Sequence, residues 1–213
     1  MSIFNNRSAL LIVVLLLGAC QSGPDKASSP KPAVAASPTV EGSVTESTPV
    51  DPNQQFYEQA LASLKSGKAE RALKLLLQIS NDAPDKPYVF TNLGLAYFKL
   101  QQLDLAEQAF KQAIARNNKD AVAHNHLGIL QRQKGQFNEA RTHYQRALSI
   151  DSGYASAHLN LGILFDIYLQ DLKQALRHYQ KYQALVSEED TQVAGWIVDI
   201  QRRLKSTTTK SQG

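Results

Sequence analysis

The sequence contains only one cysteine, Cys20, so it cannot form an internal disulfide. It also has no dense basic tract, because its 23 lysines and arginines are scattered and nearly balanced by 19 aspartates and glutamates. Nucleic acid is therefore not an expected partner. The nucleophile elbow, the phosphate-cradling glycine loop and the zinc-protease helix signature are all missing. These absences predict a protein that is not an enzyme, with no catalytic residues, no cofactor and no metal.

The one long aliphatic run, Leu10–Leu17, is too short for a transmembrane helix of about 20 residues. A short polar lead with one positive charge, Arg7, precedes it. This layout predicts a secretory signal peptide over residues 1–19.

The run ends at Leu17-Gly18-Ala19-Cys20, which resembles the bacterial lipobox. That resemblance implies that Cys20 is the lipidated mature N-terminus, carrying a diacylglycerol on its sulfur and an acyl chain on its amine. A secreted protein with a stray free thiol is the alternative. Gln21 stands where an aspartate would resemble the signal for retention in the inner membrane. We therefore expect a lipid anchor in a Gram-negative outer membrane, facing the periplasm.

The segment that follows, residues 20–52, has the composition of a tether. It holds six of the eight prolines, and Gln21–Pro52 contains no aromatic residue. Such a segment cannot bury enough apolar surface to offset its ordering entropy. It is expected to be disordered, with a reach of about 100 Å when fully extended.

From Asn53 onward the chain repeats every 34 residues. Three units carry a Leu-Gly pair, then a small residue, then an aromatic residue four positions later: Leu93-Gly94, Ala106 and Phe110, then Leu127-Gly128, Ala140 and Tyr144, then Leu161-Gly162, Ala175 and Tyr179. The first unit is the most diverged, with Gln59 in place of the leucine. This pattern resembles tetratricopeptide repeats. The resemblance implies an all-α, right-handed α-solenoid of about four helix pairs over 53–189, with repeats at about 53–86, 87–120, 121–154 and 155–189. A capping helix over 190–205 and a flexible tail over 206–213 would follow.

The repeat pattern also has a physical explanation. Each unit holds two amphipathic helices that cannot hide their apolar faces alone. The glycines at Gly94, Gly128 and Gly162 are small because neighbouring helices approach closely there. Glycines at Gly67 and Gly135 suit the reversal between the helices of a pair. The fourth repeat has one extra residue around Tyr168 to Gln170, so its turn should differ, and Ser187 is the expected cap of the last helix.

The five histidines predict packing rather than a metal site. Two of them, His124 and His158, occupy one position of successive repeats, and His143 and His178 share another. His126 is two residues from His124, so the two side chains point to different helix faces.

In tetratricopeptide proteins the first helices of each pair line a concave face, where partners usually bind. By that resemblance the fifth, sixth, ninth, twelfth and thirteenth positions of each repeat face this groove. The candidate partner-binding residues are Tyr57, Leu61, Thr91, Asn92, Leu95, Asn125, Ile129, Arg132, Leu159, Asn160 and Ile163. The sequence lacks the carboxylate clamp of chaperone-binding members. The expected partner is a periplasmic or inner-membrane protein that presents an apolar helix or extended segment. The alternative is that some of the aliphatic residues pack against the next helix.

The expected function is a non-catalytic interaction scaffold of the cell envelope. The layout is similar to that of outer-membrane lipoproteins that activate penicillin-binding peptidoglycan synthases. Pilotin-like assembly factors for type IV pili or secretins are the alternative, and an enzyme is the third class.

Overall fold

The computed structural model describes residues 52–210, and these residues form an all-α stack with no strand. The expected signal peptide, Cys20, nearly all of the tether and the last three residues lie outside the described residues. No helix within 52–210 is long and apolar enough to cross a membrane. The helices are α1 (Pro52–Lys65), α2 (Ala69–Asp82), α3 (Pro87–Lys99), α4 (Leu103–Arg116), α5 (Ala121–Gln133), α6 (Phe137–Ile150), α7 (Ala155–Ile163), a π-helical segment (Leu164–Tyr168), α8 (Leu172–Leu185) and α9 (Thr191–Lys210).

The helices pack in consecutive pairs, α1 with α2, α3 with α4, α5 with α6 and α7 with α8. Each second helix also packs against the first helix of the next pair. The first helices α1, α3, α5 and α7 touch one another directly in that order. They therefore lie side by side and form one face of the stack, as expected for an α-solenoid of four helix pairs.

Each of three repeats is closed by an aromatic ring that lies over a glycine. A Cβ atom built on Gly94 would lie 2.5 Å from the Phe110 ring, and one built on Gly128 would lie 2.5 Å from the Tyr144 ring. Real Cβ atoms do not come this close to other heavy atoms. Both rings are fully buried, so neither can move aside into solvent. The glycines are thus required by the close approach of the ring from the second helix, and Gly162 under Tyr179 repeats the arrangement.

The turn within each pair uses a left-handed residue at the same repeat position. Gly67 and Gly135 have φ angles of 75° and 76°, which confirms the expected role of these glycines. Gln101 and Gln170 occupy the same place with φ angles of 59° and 55°. Two repeats therefore accept a conformation that is unfavourable for a residue with a Cβ atom.

The extra residue of the fourth repeat is absorbed by the π-helical segment. The backbone N–H of Leu169 donates to the carbonyl of Leu164 at 3.0 Å, a bond that spans five residues instead of four. A π-helical turn accommodates one inserted residue in an otherwise α-helical segment. This confirms that the turn differs from the other three, and it shows that the insertion widens the end of the first helix.

The last helix, α9, seals the end of the stack and begins within one residue of the expected start, but its cap is a different residue. Val193 and Ile200 are buried against the last helix pair, and the Trp196 ring lies 5.3 Å from the Tyr179 ring. The cap is not Ser187. Instead, Asp190 Oδ1 accepts hydrogen bonds from the backbone N–H groups of Gln192 and Val193 at 3.0 and 3.1 Å. Since this carboxylate accepts from two otherwise unpaired N–H groups, it is the better cap.

The tail prediction is corrected as well. The sequence assigned residues 206–213 to a flexible tail. In the structure α9 continues to Lys210, so the first part of that segment is helical. The outward residues Val198, Arg202 and Lys205 are exposed, and two of the three are charged. A terminal element with a polar outer face keeps the open end of a repeat stack soluble.

Replacing Gly128 by alanine tests the contact between ring and glycine. The new Cβ atom would force the buried Tyr144 ring to move, so we expect a loss of about 1 to 3 kcal/mol in the free energy of unfolding. Gly195 in α9 is the matched control, because a Cβ atom there meets nothing within 4 Å. Gly195→Ala should stabilise by about 0.5 to 1 kcal/mol through helix propensity. Urea unfolding measures both; a Gly128→Ala protein as stable as the wild type would contradict the packing argument.

Candidate partner-binding groove

One stripe of each first helix faces solvent. In α3 the stripe consists of Tyr88, Asn92, Leu95 and Lys99, which recur at intervals of four, three and four residues. All four are exposed or half-buried, whereas the residues on the opposite side of the helix, such as Leu93, are buried. A helix with 3.6 residues per turn places these intervals on one face. We call the equivalent residues of α1, α3, α5 and α7 with its π-helical extension the groove stripe: Gln54, Glu58, Leu61 and Lys65; Tyr88, Asn92, Leu95 and Lys99; Val122, His126, Ile129 and Gln133; Ser156, Asn160, Ile163 and Ile167.

The third row of the stripe is aliphatic in every repeat. Leu61 is 39% exposed, while Leu95, Ile129 and Ile163 are half-buried and pack against the core. Leu95, Ile129 and Ile163 therefore each fill the stack with one side and leave the other side accessible. Leu159, also among the predicted groove residues, is half-buried in the same way.

Polar side chains link neighbouring first helices beside this row. Asn92 Nδ2 donates to the Tyr57 hydroxyl at 2.9 Å and to the backbone carbonyl of Tyr88 at 2.8 Å. Two repeats later, Asn160 Nδ2 donates to Asn125 Oδ1 at 3.0 Å. The Tyr57 and Tyr88 rings also meet edge to face, with centroids 4.7 Å apart. These contacts hold the wall of the groove in a fixed geometry before any partner arrives.

Two predicted groove residues lie inside the wall instead of on its surface. Thr91 is buried and donates its hydroxyl hydrogen bond to Asp120 Oδ2, and Asp120 Oδ1 caps α5 by accepting from the Ala123 N–H at 2.9 Å. Asn125 is 2% exposed. The fifth repeat position therefore supports the wall, and Thr91 and Asn125 offer a partner little surface. This corrects the expectation that the fifth position faces the groove in every repeat.

The residues at the twelfth repeat position contact other side chains near the C-terminal end of the groove. Arg132 is half-buried, and its guanidinium lies 5.9 Å from the centre of the Tyr168 ring. One repeat later, the buried Asp166 accepts a hydrogen bond from Arg203 of α9 at 3.2 Å. This ion pair ties the capping helix to the π-helical segment and closes that end of the stack.

The list of candidate residues drawn from the sequence left out several exposed members of the stripe. Tyr88 is 42% exposed and Ile167 is 45% exposed, and both Lys65 and Lys99 reach into solvent. Lys65, Lys99 and Ile167 lie at the thirteenth repeat position, which the family resemblance placed in the groove. Tyr88 lies at the second position, which the resemblance did not include, although it is seven residues from Leu95 and so falls on the same helix face.

The histidines form two pairs within the stack. The Nδ1 atoms of His124 and His143 are 3.2 Å apart, and those of His158 and His178 are 3.0 Å apart. In each pair one ring can donate and the other accept, which gives the repeated positions the packing role expected of them. Burial, reinforced by the neighbouring His158, lowers the pKa of His178 to about 4. Within residues 52–210 no three metal-ligating side chains come together.

The fifth histidine, His126, is half-buried on the groove stripe, and its ring is part of an aromatic stack. The His126 ring stacks on Phe110 with centroids 5.1 Å apart and meets Phe98 edge to face at 5.3 Å. Burial lowers the pKa of His126 to about 4, so the ring is neutral near pH 7. His126 therefore contributes mainly its flat surface to the junction of the second and third repeats.

Comparison with known proteins identifies the repeat. A family model described as tetratricopeptide repeat matches residues 87–120, and one described as TPR repeat matches residues 130–165. The chain is 32% identical to human tetratricopeptide repeat protein 8 over 117 residues, which is 54% of this chain and 21% of that protein. The chain thus spans about a fifth of the length of that curated relative. These matches indicate repeat units and no enzyme family.

Solved structures show the same fold at low sequence identity. The structure from the functional characterisation of Pseudomonas aeruginosa PilF has a TM-score of 0.64 at 19% identity, covering 75% of this chain and 72% of that one. The first tetratricopeptide domain of Spaghetti (RPAP3), bound to the HSP90 peptide SRMEEVD, has a TM-score of 0.51 at 24% identity, covering 54% of this chain and 90% of that one. Residues 87–120 and 130–165 therefore match tetratricopeptide repeats, and the described residues have the fold of a tetratricopeptide-repeat solenoid.

His126 and His178, whose pKa values are lowered in the folded protein, should make the fold sensitive to acid. Their folded-state pKa values are lowered, so the unfolded chain takes up protons more readily as the pH falls below about 6.5. The stabilisation is complete above that pH and is lost progressively toward pH 4. We expect the midpoint of urea unfolding to fall between pH 7.5 and 4.5, and to fall less steeply in a His178→Gln protein. Equal steepness in both proteins would rule out a contribution from the His158–His178 pair.

Proposed function

We propose that this protein is a lipid-anchored tetratricopeptide-repeat scaffold of the Gram-negative outer membrane, which holds a segment of another envelope protein in its groove. The observation that carries the binding role is the groove stripe, because it presents a continuous aliphatic row in a preformed wall. The sequence at Leu17–Cys20, which resembles a lipobox, supports the anchor. The proline-rich segment after Cys20 supports a tether that lets the helical stack work away from the membrane.

The partner that suits this layout best is a penicillin-binding peptidoglycan synthase, which the protein would activate. A synthase anchored in the inner membrane lies on the far side of the wall, so an outer-membrane activator needs reach. Residues 20–52 supply up to about 100 Å when extended. A pilotin-like role in pilus or secretin assembly is the alternative, and it has less need of so long a tether.

The expected affinity is modest. Burying four aliphatic side chains completely would contribute about 6 to 12 kcal/mol, and association costs about 4 to 15 kcal/mol. The gain is smaller here, because three of the four aliphatic residues are already half-buried. The groove alone thus predicts binding in the micromolar range or weaker. Anchoring both proteins in one compartment raises the effective concentration enough for such an affinity to work.

Glutamate in the aliphatic row should weaken partner capture. We expect Leu95→Glu with Ile129→Glu to weaken capture in cells, because a carboxylate facing an apolar segment stays unpaired. Since both residues also pack inward, Leu61→Glu with Ile167→Glu provides a second pair at more exposed positions. Site-specific crosslinking from Tyr88, followed by identification of the captured protein, measures the effect.

The matched control for both pairs is Leu105→Glu with Val198→Glu. These residues are 43% and 65% exposed and lie outside the groove stripe. Circular dichroism confirms that each variant keeps its helicity. If the groove variants, still folded, capture as much partner as this control, the interface lies on another face.

Deleting Ser22–Val50 while keeping Cys20 tests the reach of the tether. A wall-spanning activator should lose function, because the helical stack would remain next to the outer membrane. A replacement of equal length built from glycine and serine is the control, and it should restore activity if length alone matters. Peptidoglycan synthesis in cells is the readout for the activator, and pilus or secretin assembly is the readout for the alternative. A shortened protein that loses no support for synthesis would contradict a wall-spanning activator, and one that still supports pilus or secretin assembly would favour the pilotin-like role.

A further inference from the structure

The outermost row of the groove stripe changes character along the stack. It runs from Lys65 on α1 and Lys99 on α3 to Gln133 on α5 and Ile167 on the π-helical segment. The first three residues are exposed, and Ile167 is 45% exposed. The groove therefore has a basic edge over its first two repeats and an apolar edge over its last.

The two lysines of this edge have no carboxylate partner within residues 52–210. Two other cations near the same side of the stack are paired, Lys134 with Glu107 and Arg203 with Asp166. The one acidic residue on the groove stripe, Glu58, accepts a hydrogen bond from Gln54 Nε2 at 2.9 Å. The positive charges of this edge are therefore not neutralised by carboxylates of the described residues, and they are complementary to negative charge on a partner.

The spacing of the two lysines favours one shape of partner. They occupy the same position on α1 and α3, which are in contact, and packed helices lie about 8 to 10 Å apart. Seven residues of an α-helix advance about 10.5 Å and return to nearly the same face. Three residues of an extended strand cover about 10 Å but end on the opposite face. A helix can thus present two carboxylates to both lysines and keep one apolar face toward the aliphatic row.

We propose that the occupant of the groove is an amphipathic helix that lies across α1, α3, α5 and α7. This inference rests on the proposed binding function of the groove. Its apolar stripe contacts Leu61, Leu95, Ile129 and Ile163. Acidic residues seven positions apart face Lys65 and Lys99, and an apolar residue at the other end covers Ile167. Three steps between first helices require about 16 to 20 residues of helix.

Two synthetic peptides of identical composition test this inference on the full chain. Both carry the apolar stripe; one places two glutamates seven residues apart beside it, and the other moves them to the far face. We expect the first peptide to bind about 3- to 30-fold more tightly by fluorescence anisotropy, since exposed ion pairs each contribute modestly. Raising the salt concentration should reduce this difference.

Charge reversal on the protein supplies the matched comparison. Lys65→Glu with Lys99→Glu should remove the preference, and a third peptide with lysines in place of the glutamates should then bind the variant more tightly. Lys74→Glu with Lys173→Glu, at exposed positions outside the groove stripe, should leave the preference intact.

The possible outcomes distinguish a failure of the acidic-helix proposal from a failure of the proposed binding role of the groove. If both glutamate peptides bind equally and lose binding in the Leu61→Glu, Ile167→Glu protein, the groove stands and the acidic helix is overturned. If the peptides compete with self-association of the chain in sedimentation experiments, a second copy fills the groove and the proposed helix is wrong. If no peptide binds, the helical occupant is overturned, and crosslinking from Tyr88 in cells decides separately on the groove.

Discussion

The contact between a glycine on the first helix and an aromatic ring on the second sets the geometry of this protein. At Gly94, Gly128 and Gly162 the ring occupies the space that any Cβ atom would need. The two helices of a pair can therefore approach closely, and the small residues of the second helix leave room for the next repeat. Because the same contact recurs, successive pairs are added in nearly the same orientation, and the first helices align side by side.

Because the first helices lie side by side, residues that recur along the sequence come together on one surface. One stripe of each first helix is left over after packing, and the four stripes lie next to one another. The aliphatic row gains its continuity only from the stack, since Leu61 and Ile163 are about 100 residues apart in the chain. The asparagine contacts, such as Asn92 with Tyr57, fix the distance between stripes, so the groove needs little reorganisation on binding.

Much of the fold was predictable because its rules are local. The 34-residue period, the Leu-Gly pairs and the glycines at Gly67 and Gly135 predicted the helix pairs and their turns. The cap of the last helix was wrong, because Ser187 and Asp190 both suit an N-cap and only the packing of α9 against α8 selects between them. The extra residue near Tyr168 was recognised, but a sequence does not specify whether an insertion enters a loop or widens a helix.

The sequence by itself determined that the chain forms paired helices with buried small and aromatic residues, because hydrophobic periodicity and steric fit act between residues close in the chain. It also determined the identity of the aliphatic row. Only the tertiary structure decided which polar residues face solvent. Thr91 and Asn125 form hydrogen bonds inside the wall, while Lys65 and Lys99 are exposed at its edge and have no carboxylate partner within residues 52–210. The hydrogen-bond partners of Thr91 and Asn125 are 29 and 35 residues away in the chain. Their positions follow from the stacking of whole repeats.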